Sequence, residues 1–349
     1  MQSAKSIYEA LDKEKYEVVL VGIDKQGRWL LGNASNYLLN SSDPKRISFN
    51  ITEETPEVTA ITKQHSTQLI PLANPNSPTN IDVFFPIIHG TYGEDGSLQG
   101  FLEMMDAAYV GAGVLGSGIG MDKDVMKRLL QTAKIPVAHF IAVKKHEVNE
   151  KALNDVVETL KFPIFVKPAN TGSSVGISKA RNKQELQAAI EIAFEYDTKI
   201  MFEEYIKGRE IEISVLGNDE PVASVPGEII VHHEFYSYEA KYIDENGASL
   251  AIPAKLSAEK VVEVQQLALH AYKVLECAGM ARADFFFTEE GKFYLNEINT
   301  LPGFTKISMY PKLWEASGLS YPDLLGKLIT LALEKRREKN KLQRNYKLI

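Results

Sequence analysis

The sequence "VKPANTGSSVG", residues 166–176, joins a lysine to a loop of glycine and serine. Lys167 ends the apolar run "FPIFV", which predicts a buried strand, and the loop leads into a second short strand, "ISKA". A buried lysine needs an anionic partner, and the hydroxyls of Ser173 and Ser174 with nearby backbone N–H groups suit a phosphate. The lysine precedes the glycines, so this is not a Walker loop. The alternative is a surface hairpin with an exposed lysine.

Two later motifs, "ARADF" and "YLNEIN", carry polar side chains at every second position. Arg282 and Asp284 therefore share one face of a strand, and Glu297 and Asn299 share one face of the next. The connection "TEEG" predicts a hairpin, which would bring Asp284, Glu297 and Asn299 together. Three oxygen ligands suit Mg²⁺, and an arginine beside them suits a carboxylate or phosphate. The alternative is an ordinary solvent-facing side of a sheet.

Two loops are further candidates for a substrate site. The apolar segment 82–90 predicts a strand, and His89 and Glu94 follow at its carboxyl end, where ligands bind in α/β sheets. Alternatively Glu94 caps the next helix and His89 packs. Residues 232–256 show no clear period, and "YEAKY" within them places Lys241 and Tyr242 on a predicted lid. A packed Ω-loop is the alternative.

The stretch "GAGVLG", residues 111–116, matches the dinucleotide-binding pattern G-x-G-x-x-G. Gly118 and Gly120 follow where that pattern requires a helix, and each costs about 1 kcal/mol there relative to alanine. We therefore interpret the run as a glycine-rich interdomain hinge. An NAD-dependent dehydrogenase is the alternative, and it would change nicotinamide absorbance.

The composition limits the classes of function. A chain of 349 residues with 44% hydrophobic residues suggests two or three domains with real cores. The net charge of −7 argues against nucleic-acid or anionic-membrane partners. One cysteine, Cys277, allows no internal disulfide, and no apolar run approaches 18 residues. We expect a cytoplasmic protein.

Taken in order, these motifs resemble the ATP-grasp fold and, more closely, the D-alanine–D-alanine ligase family. The resemblance rests on "HGTYGEDGSLQG", "GMDK", "VKPANTGSSVG", "YEAKY", "ARADFF" and "NEINTLPGFT". It implies an α/β, three-domain ATP-grasp ligase: an N-terminal α/β sheet domain (1–120), a central α+β lid domain (121–215) and a C-terminal ATP-grasp domain (216–349). The short connection "KGR" also predicts that "IMFEEYI" and "EIEISVLG" form a hairpin.

The resemblance implies an ATP site and the metal ions that accompany it. Lysines and the glycine–serine loop hold phosphates, Glu203 lies near adenine, and Glu210 binds ribose. The residues implied are Lys123, Lys167, Ser173, Ser174, Val175, Gly176, Glu203, Tyr205, Ile206 and Glu210. Asp284, Glu297 and Asn299 would carry two Mg²⁺ ions, with Mn²⁺ as a possible substitute.

The resemblance also implies two D-alanine sites and an oxyanion site. Arg282 and the backbone N–H of Gly303 would hold the oxyanion. Lys241, Ser308 and Met309 match the positions that bind the second D-alanine. The first D-alanine would lie near Tyr242, Ser173 and Glu94, with His89 beside them.

The implied reaction joins two D-alanines through an acyl phosphate, for peptidoglycan synthesis, and the family is commonly homodimeric. Its members open with a strand and a glycine-rich loop carrying a glutamate that orients the first D-alanine. No such motif precedes the first helix here, which indicates a shortened start. The alternatives are a nucleotide-binding protein with weak or no ligase activity and a D-alanyl-D-lactate ligase. Tyr242 favours the dipeptide.

Overall fold

The computed structural model describes residues 1–32, 52, 55–63, 66–231 and 248–343, with the backbone of two short strands at 38–39 and 48–49. The N-terminal elements are α1 (Gln2–Ala10), β1 (Leu20–Ile23), β2 (Trp29–Gly32), β3 (Leu38–Leu39), β4 (Ser48–Phe49), β5 (Glu57–Lys63), β6 (Ser66–Pro71), β7 (Thr79–Ile81), α2 (Ser97–Met104) and α3 (Val114–Met121). Five of these strands form an antiparallel sheet in the order β1-β2-β5-β6-β7, and β3 pairs with β4.

The strand expected at residues 82–90 does not form. One parallel bridge joins Phe84 to Tyr109, with backbone hydrogen bonds of 2.8 and 2.9 Å on either side of it. The apolar side chains are nevertheless packed, because Phe85 contacts the core under α1 and Phe84 contacts the core under α2. The apolar pattern therefore reports burial at this place, without a ladder of strand hydrogen bonds.

The second half of the glycine run, where an interdomain hinge was expected, forms part of helix α3 (Val114–Met121), and the hinge itself stays a prediction. The glycines of α3 allow close packing. A Cβ atom on Gly116 would lie 2.4 Å from the carbonyl oxygen of Glu276, and one on Gly120 would lie 3.1 Å from Thr300. The helix therefore lies against the C-terminal part of the chain at distances that larger residues would prevent.

The central elements are α4 (Lys123–Thr132), β8 (Phe140–Lys144), α5 (Glu150–Leu160), β9 (Ile164–Pro168), β10 (Ser178–Ala180), α6 (Lys183–Ala193) and β11 (Lys199–Glu204). The strands form an antiparallel sheet in the order β10-β9-β11-β8, and α5 and α6 supply the rest of its core. Asp122 begins α4 by accepting a hydrogen bond of 3.0 Å from the N–H of Val125, the ordinary role of an N-cap.

The C-terminal elements are β12 (Arg209–Gly217), β13 (Val222–Ala223), β14 (Gly227–Val231), β15 (Ala248–Ala251), α7 (Ala258–Val274), β16 (Gly279–Phe287), β17 (Phe293–Asn299), α8 (Met309–Ala316) and α9 (Tyr321–Asn340). The sheet order is β15-β14-β12-β16-β17, with β13 on β12. Pairing of β16 with β17 confirms the predicted hairpin. The hairpin predicted between β11 and β12 is wrong, because the two strands lie in different sheets.

One face of this third sheet is covered by α4 and α7. Ile211 and Ile213 of β12 and Ala281 and Ala283 of β16 are fully buried against these helices. Because side chains alternate along a strand, the residues between them point to the opposite face. Part of that opposite face packs against α1, α8 and α9, and another part borders a cleft. No described helix is long and apolar enough to cross a membrane.

Candidate active site

A cleft of about 1140 Å³ lies between the third sheet, α1 and the loops that follow β9 and β17. It gathers most of the residues that the sequence singles out. Those lining it are His89, Glu94, Lys123, Ser173, Glu210, Arg282, Asp284, Glu297, Asn299, Gly303, Ser308 and Met309. Lys241 and Tyr242 lie outside the described residues. The structure therefore brings together side chains separated by more than 200 positions in the sequence.

One wall of the cleft, which we term the acidic face, consists of Glu212, Arg282, Asp284 and Glu297. Arg282 donates two hydrogen bonds of 2.7 Å to the carboxylate of Asp284, and its Nε lies 2.9 Å from Oε2 of Glu212. Burial acts to lower the pKa of Arg282, but the charges of Asp284 and Glu212 raise it well above its ordinary value. The guanidinium is therefore held in place and permanently charged.

Glu212 was not among the residues picked out from the sequence. It is 5% exposed and lies opposite Asp284 in the pairing of β12 with β16. The signal was available, because "EIEIS" alternates acidic and apolar residues and so places Glu210 and Glu212 on one face.

The acidic face fits a divalent cation. Asp284 lies opposite Glu297 in the β16–β17 register, and Asn299 follows on the same face. Among the described residues, no group of three or more His, Cys, Asp or Glu is arranged to hold a metal, so an amide oxygen would have to complete the set. Two carboxylates and an amide are the oxygen donors that Mg²⁺ prefers, and the Asp284 oxygens keep lone pairs beyond those used by Arg282.

The other charged group, which we term the lysine cluster, consists of Lys127, Lys167 and Glu203. Lys167 is 8% exposed and donates to Oε2 of Glu203, so the exposed-lysine alternative is wrong. Nζ of Lys127 lies 2.5 Å from the other oxygen of Glu203. Burial acts to raise the pKa of Glu203, but the charges of Lys127 and Lys167 lower it to about 2. Burial lowers the pKa of Lys127, an effect that Glu203 opposes.

Lys127 was also missed, since "MKRLL" reads as the exposed side of a basic helix. It lies one turn after Lys123 on α4 and is 1% exposed. Lys123 is itself buried, and its Nζ donates to the carbonyl oxygen of Thr171 in the glycine–serine loop. On α4, Lys123 therefore extends toward the glycine–serine loop, and Lys127 extends toward Glu203.

The glycine–serine loop has an unusual backbone. Ser173 and Ser174 both have positive φ angles, 55° and 59°, and Gly176 follows at 71°. Consecutive residues in this region form concave backbone surfaces that suit anions. At Gly176 a Cβ atom would lie 2.6 Å from the ring of Tyr196, so a larger residue would be excluded. Ser173 lines the cleft, whereas Ser174, Val175 and Gly176 do not.

His89 and Glu94 line the cleft near the acidic face. Glu94 accepts from the N–H of Gly90 and does not cap α2, where Gly96 is the N-cap. Burial raises the pKa of Glu94 to about 7; the Gly90 hydrogen bond opposes the rise, and the charge of Glu297 adds to it. Nδ1 of His89 lies 3.2 Å from the carbonyl oxygen of Leu301, and burial lowers the pKa of this histidine.

The loop after β17 brings Gly303 beside the start of α8. A Cβ atom on Gly303 would lie 2.8 Å from Oγ of Ser308, which in turn accepts a bond of 2.9 Å from the N–H of Thr305. Met309 is 5% exposed and packs against Ile229.

Of the other residues expected to bind the nucleotide, Lys167 lies on β9, and the rest lie at the end of β11 and the start of β12. Glu210 borders the cleft, while Lys167, Glu203, Tyr205 and Ile206 do not line it. Tyr205 is 41% exposed, and its ring centroid lies 4.3 Å from Nζ of Lys179.

Comparison with known proteins identifies the family and the fold class of this chain. The family models described as D-ala D-ala ligase N-terminus and C-terminus match residues 1–112 and 129–330. The D-alanine–D-alanine ligase of Oceanobacillus iheyensis is 51% identical over 98% of this chain and 93% of the relative. D-alanine–D-alanine ligase A of Escherichia coli K12 is 49% identical over 98% of this chain and 94% of its own length.

Solved structures agree with this class. The D-alanine–D-alanine ligase of Coxiella burnetii superposes with a TM-score of 0.83 at 37% identity, covering 97% of this chain and 91% of that one. The VanG D-Ala:D-Ser ligase of Enterococcus faecalis gives 0.80 at 35% identity, covering 95% and 94%. The chain belongs to the D-alanine–D-alanine ligase family, and its fold is the α/β, multidomain ATP-grasp fold of that family.

Proposed function

We propose that this chain joins two D-alanine molecules into D-alanyl-D-alanine, with conversion of ATP to ADP and phosphate, in the synthesis of peptidoglycan precursors. The observation that carries the proposal is the meeting of Lys123, Arg282 and the carboxylates of β16 and β17 in one cleft. Cationic groups suit the phosphates of ATP, and carboxylates suit the cation that accompanies them. The near-full-length identity to the curated ligases supports the same reaction.

In the first step a carboxylate oxygen of one D-alanine attacks the γ-phosphorus of ATP. The bond from that phosphorus to the β–γ bridging oxygen breaks, giving an acyl phosphate and ADP. Charge spreads over the transferring phosphoryl oxygens in such reactions, and cationic side chains lower the barrier by neutralising it. We assign this role to Lys123 and Lys167, with the backbone of Ser173 to Gly176 closing over the phosphates.

In the second step the ammonium group of the other D-alanine gives a proton to solvent, and the neutral amine attacks the acyl carbon. The nitrogen loses a second proton to solvent, the tetrahedral oxyanion collapses, the carbon–oxygen bond to phosphate breaks, and the peptide bond remains. We assign the stabilisation of that oxyanion to Arg282 and the N–H of Gly303, because donors fixed in advance are effective without reorganisation. Bonds from Asp284 and Glu212 fix Arg282 in this way.

Asp284, Glu297 and Asn299 would hold the magnesium. When bound, Mg²⁺ supplies charge neutralisation at the phosphoryl oxygens. Two ions, and Mn²⁺ as a substitute, stay predictions.

The substrate and nucleotide assignments follow the resemblance. Glu203, Tyr205 and Ile206 are assigned to adenine and Glu210 to ribose. His89 and Glu94 are assigned to the first D-alanine and Ser308 and Met309 to the second. Lys241 and Tyr242, beyond the described residues, stay predictions for the lid.

We also retain the three-part division of the chain as a proposal, with one adjustment. The boundary at residue 215 falls inside β12, which pairs with β16 along its whole length. We therefore propose that the C-terminal unit begins at Arg209. Homodimerisation, the lack of a nucleic-acid or membrane partner, and a cytoplasmic location stay predictions.

Phosphate release from ATP, with the product mass determined, tests the function. The purified chain receives ATP, Mg²⁺ and D-alanine, with L-alanine, D-serine and D-lactate in parallel. D-alanine-dependent release with the mass of the dipeptide is the expected result. ATP binding without such release would support the nucleotide-binding alternative, and an ester product would support the D-lactate alternative.

A further inference from the structure

The lysine cluster contains one more cation than the resemblance accounts for. Lys127 carries no expected role, yet its side chain is 1% exposed and its Nζ lies 2.5 Å from Oε1 of Glu203. A buried charge is retained only when it is paired. The pairing explains how Lys127 is tolerated, but it does not explain why two lysines share one carboxylate.

The contacts of Lys167 and Lys127 show that the two lysines lie on different sides of Glu203. Lys167 bonds to Oε2 of Glu203, and its Nζ also lies 3.5 Å from Oδ1 of Asn296, which borders the cleft. Lys127 approaches the other carboxylate oxygen. Neither lysine lines the cleft itself, and the contact with Asn296 is what places Lys167 nearer to it. Lys167 is therefore on the cleft side of Glu203, and Lys127 is on the inner side.

The charges of the cluster follow from this arrangement. Two lysines and one glutamate sum to one positive charge, and Glu203 stays ionised because its pKa is lowered to about 2. Without Lys127, the carboxylate would neutralise Lys167 completely. The cluster would then offer no net charge to an anion in the cleft.

We propose that Lys127 is a positioning residue for nucleotide binding: it neutralises the inner oxygen of Glu203 and so leaves the charge of Lys167 available to a phosphate group beside Asn296. The inference rests on the proposed function, because it assigns the phosphates of ATP to Lys167. Lys127 itself touches no substrate.

The first test measures steady-state kinetics of Lys127→Met, with Lys127→Arg as the conservative variant and Lys151→Met as a control on an exposed lysine. We expect Lys127→Met to raise the KM for ATP about tenfold or more, with kcat changed less than about threefold, because ground-state and transition-state binding weaken together. Lys127→Arg should retain most of the affinity, and Lys151→Met all of it.

The second test repeats the substitution in a Glu203→Gln background. Lys127 acts by neutralising Glu203, so Lys127→Met should then change the KM for ATP less than about threefold. This double variant has neither the buried glutamate nor the buried lysine beside it, so no charge of that pair is left without a partner. If Lys127→Met alone fails to fold, Lys127→Gln replaces it in both backgrounds. An equal effect in both backgrounds, or a loss in kcat without a change in KM, would overturn the inference.

Lys167→Met separates this inference from the function on which it rests. If Lys167→Met leaves ATP binding unchanged, the phosphate role of Lys167 is wrong, and the inference is wrong with it. If Lys167→Met weakens ATP binding while Lys127→Met acts equally in both backgrounds, the positioning role alone is wrong. Phosphate release by the unsubstituted chain reports on the ligase reaction independently of either variant.

Discussion

The lysine cluster and the acidic face both consist of buried ion pairs, but the first has an excess of positive charge and the second an excess of negative charge. In the lysine cluster two lysines surround one carboxylate, Glu203. In the acidic face one guanidinium, Arg282, lies between two carboxylates, Asp284 and Glu212, with Glu297 opposite Asp284. Every cation of the two groups is paired with a carboxylate, yet one group keeps a positive excess and the other a negative excess. Under the proposed function, the positive excess suits the phosphates of ATP and the negative excess suits a metal cation.

Asp284→Asn should produce the largest effect, because it removes both a charge from the acidic face and the bidentate partner of Arg282. We expect ligase turnover at fixed Mg²⁺ to fall by about 10²–10³-fold, comparable with the loss of other electrostatic groups at reacting centres. Asp219→Asn, on an exposed turn, is the matched control. Turnover within threefold of the original chain would show that the acidic face holds no essential cation.

Glu203→Gln should chiefly affect stability, because it leaves two buried lysines without their counter-charge. The expected loss in unfolding free energy at pH 7 is about 3 kcal/mol, measured by urea titration.

The pH dependence of that loss sharpens the comparison. The pKa of Glu203 is lowered from 4.5 to about 2, so its stabilisation is complete above pH 4.5 and disappears as the pH falls toward 2. The difference in unfolding free energy between the original chain and Glu203→Gln should therefore become smaller as the pH falls across that range. If this difference stays constant, Glu203 is not the charged centre of the lysine cluster.

Glu212→Gln should have a smaller effect, because Asp284 continues to hold Arg282 from the other side. We expect kcat to fall about tenfold with little change in the KM for ATP, the usual cost of removing a residue that orients a catalytic group. Glu220→Gln provides an exposed control. A rise in the KM for ATP without a change in kcat would place Glu212 in nucleotide binding instead.

Glu94→Gln should affect the pH dependence of stability, measured in the metal-free protein, and not the charge balance of either group. Burial raises the pKa of Glu94 from 4.5 to about 7, so its contribution to stability is present below pH 4.5 and is lost as the pH rises through 7. Relative to Glu94→Gln, the original chain should lose on the order of 2 kcal/mol across that range, measured with a chelator present. If the unfolding free energies of the original chain and of Glu94→Gln change equally with pH, the carboxyl of Glu94 is not desolvated in solution.

Local patterns predicted all of the acidic face except Glu212 and all of the lysine cluster except Lys127. Alternation along β16 and β17 and the short turn between them were enough to place Asp284 opposite Glu297. The burial of Lys127 depends on how α4 packs beside β11, which no local pattern reports. The same dependence on tertiary contacts explains the separation of β11 from β12 and the missing ladder around Phe84.

The most direct test of the account follows oxygen from D-alanine into phosphate. D-alanine labelled with oxygen-18 in its carboxylate is incubated with ATP, Mg²⁺ and the chain, and both products are analysed by mass. An acyl phosphate requires that the released phosphate carry one labelled oxygen and that the dipeptide form in equal amount. Unlabelled phosphate would mean that water attacks ATP, and the assignment of the cleft as a ligase site would be contradicted.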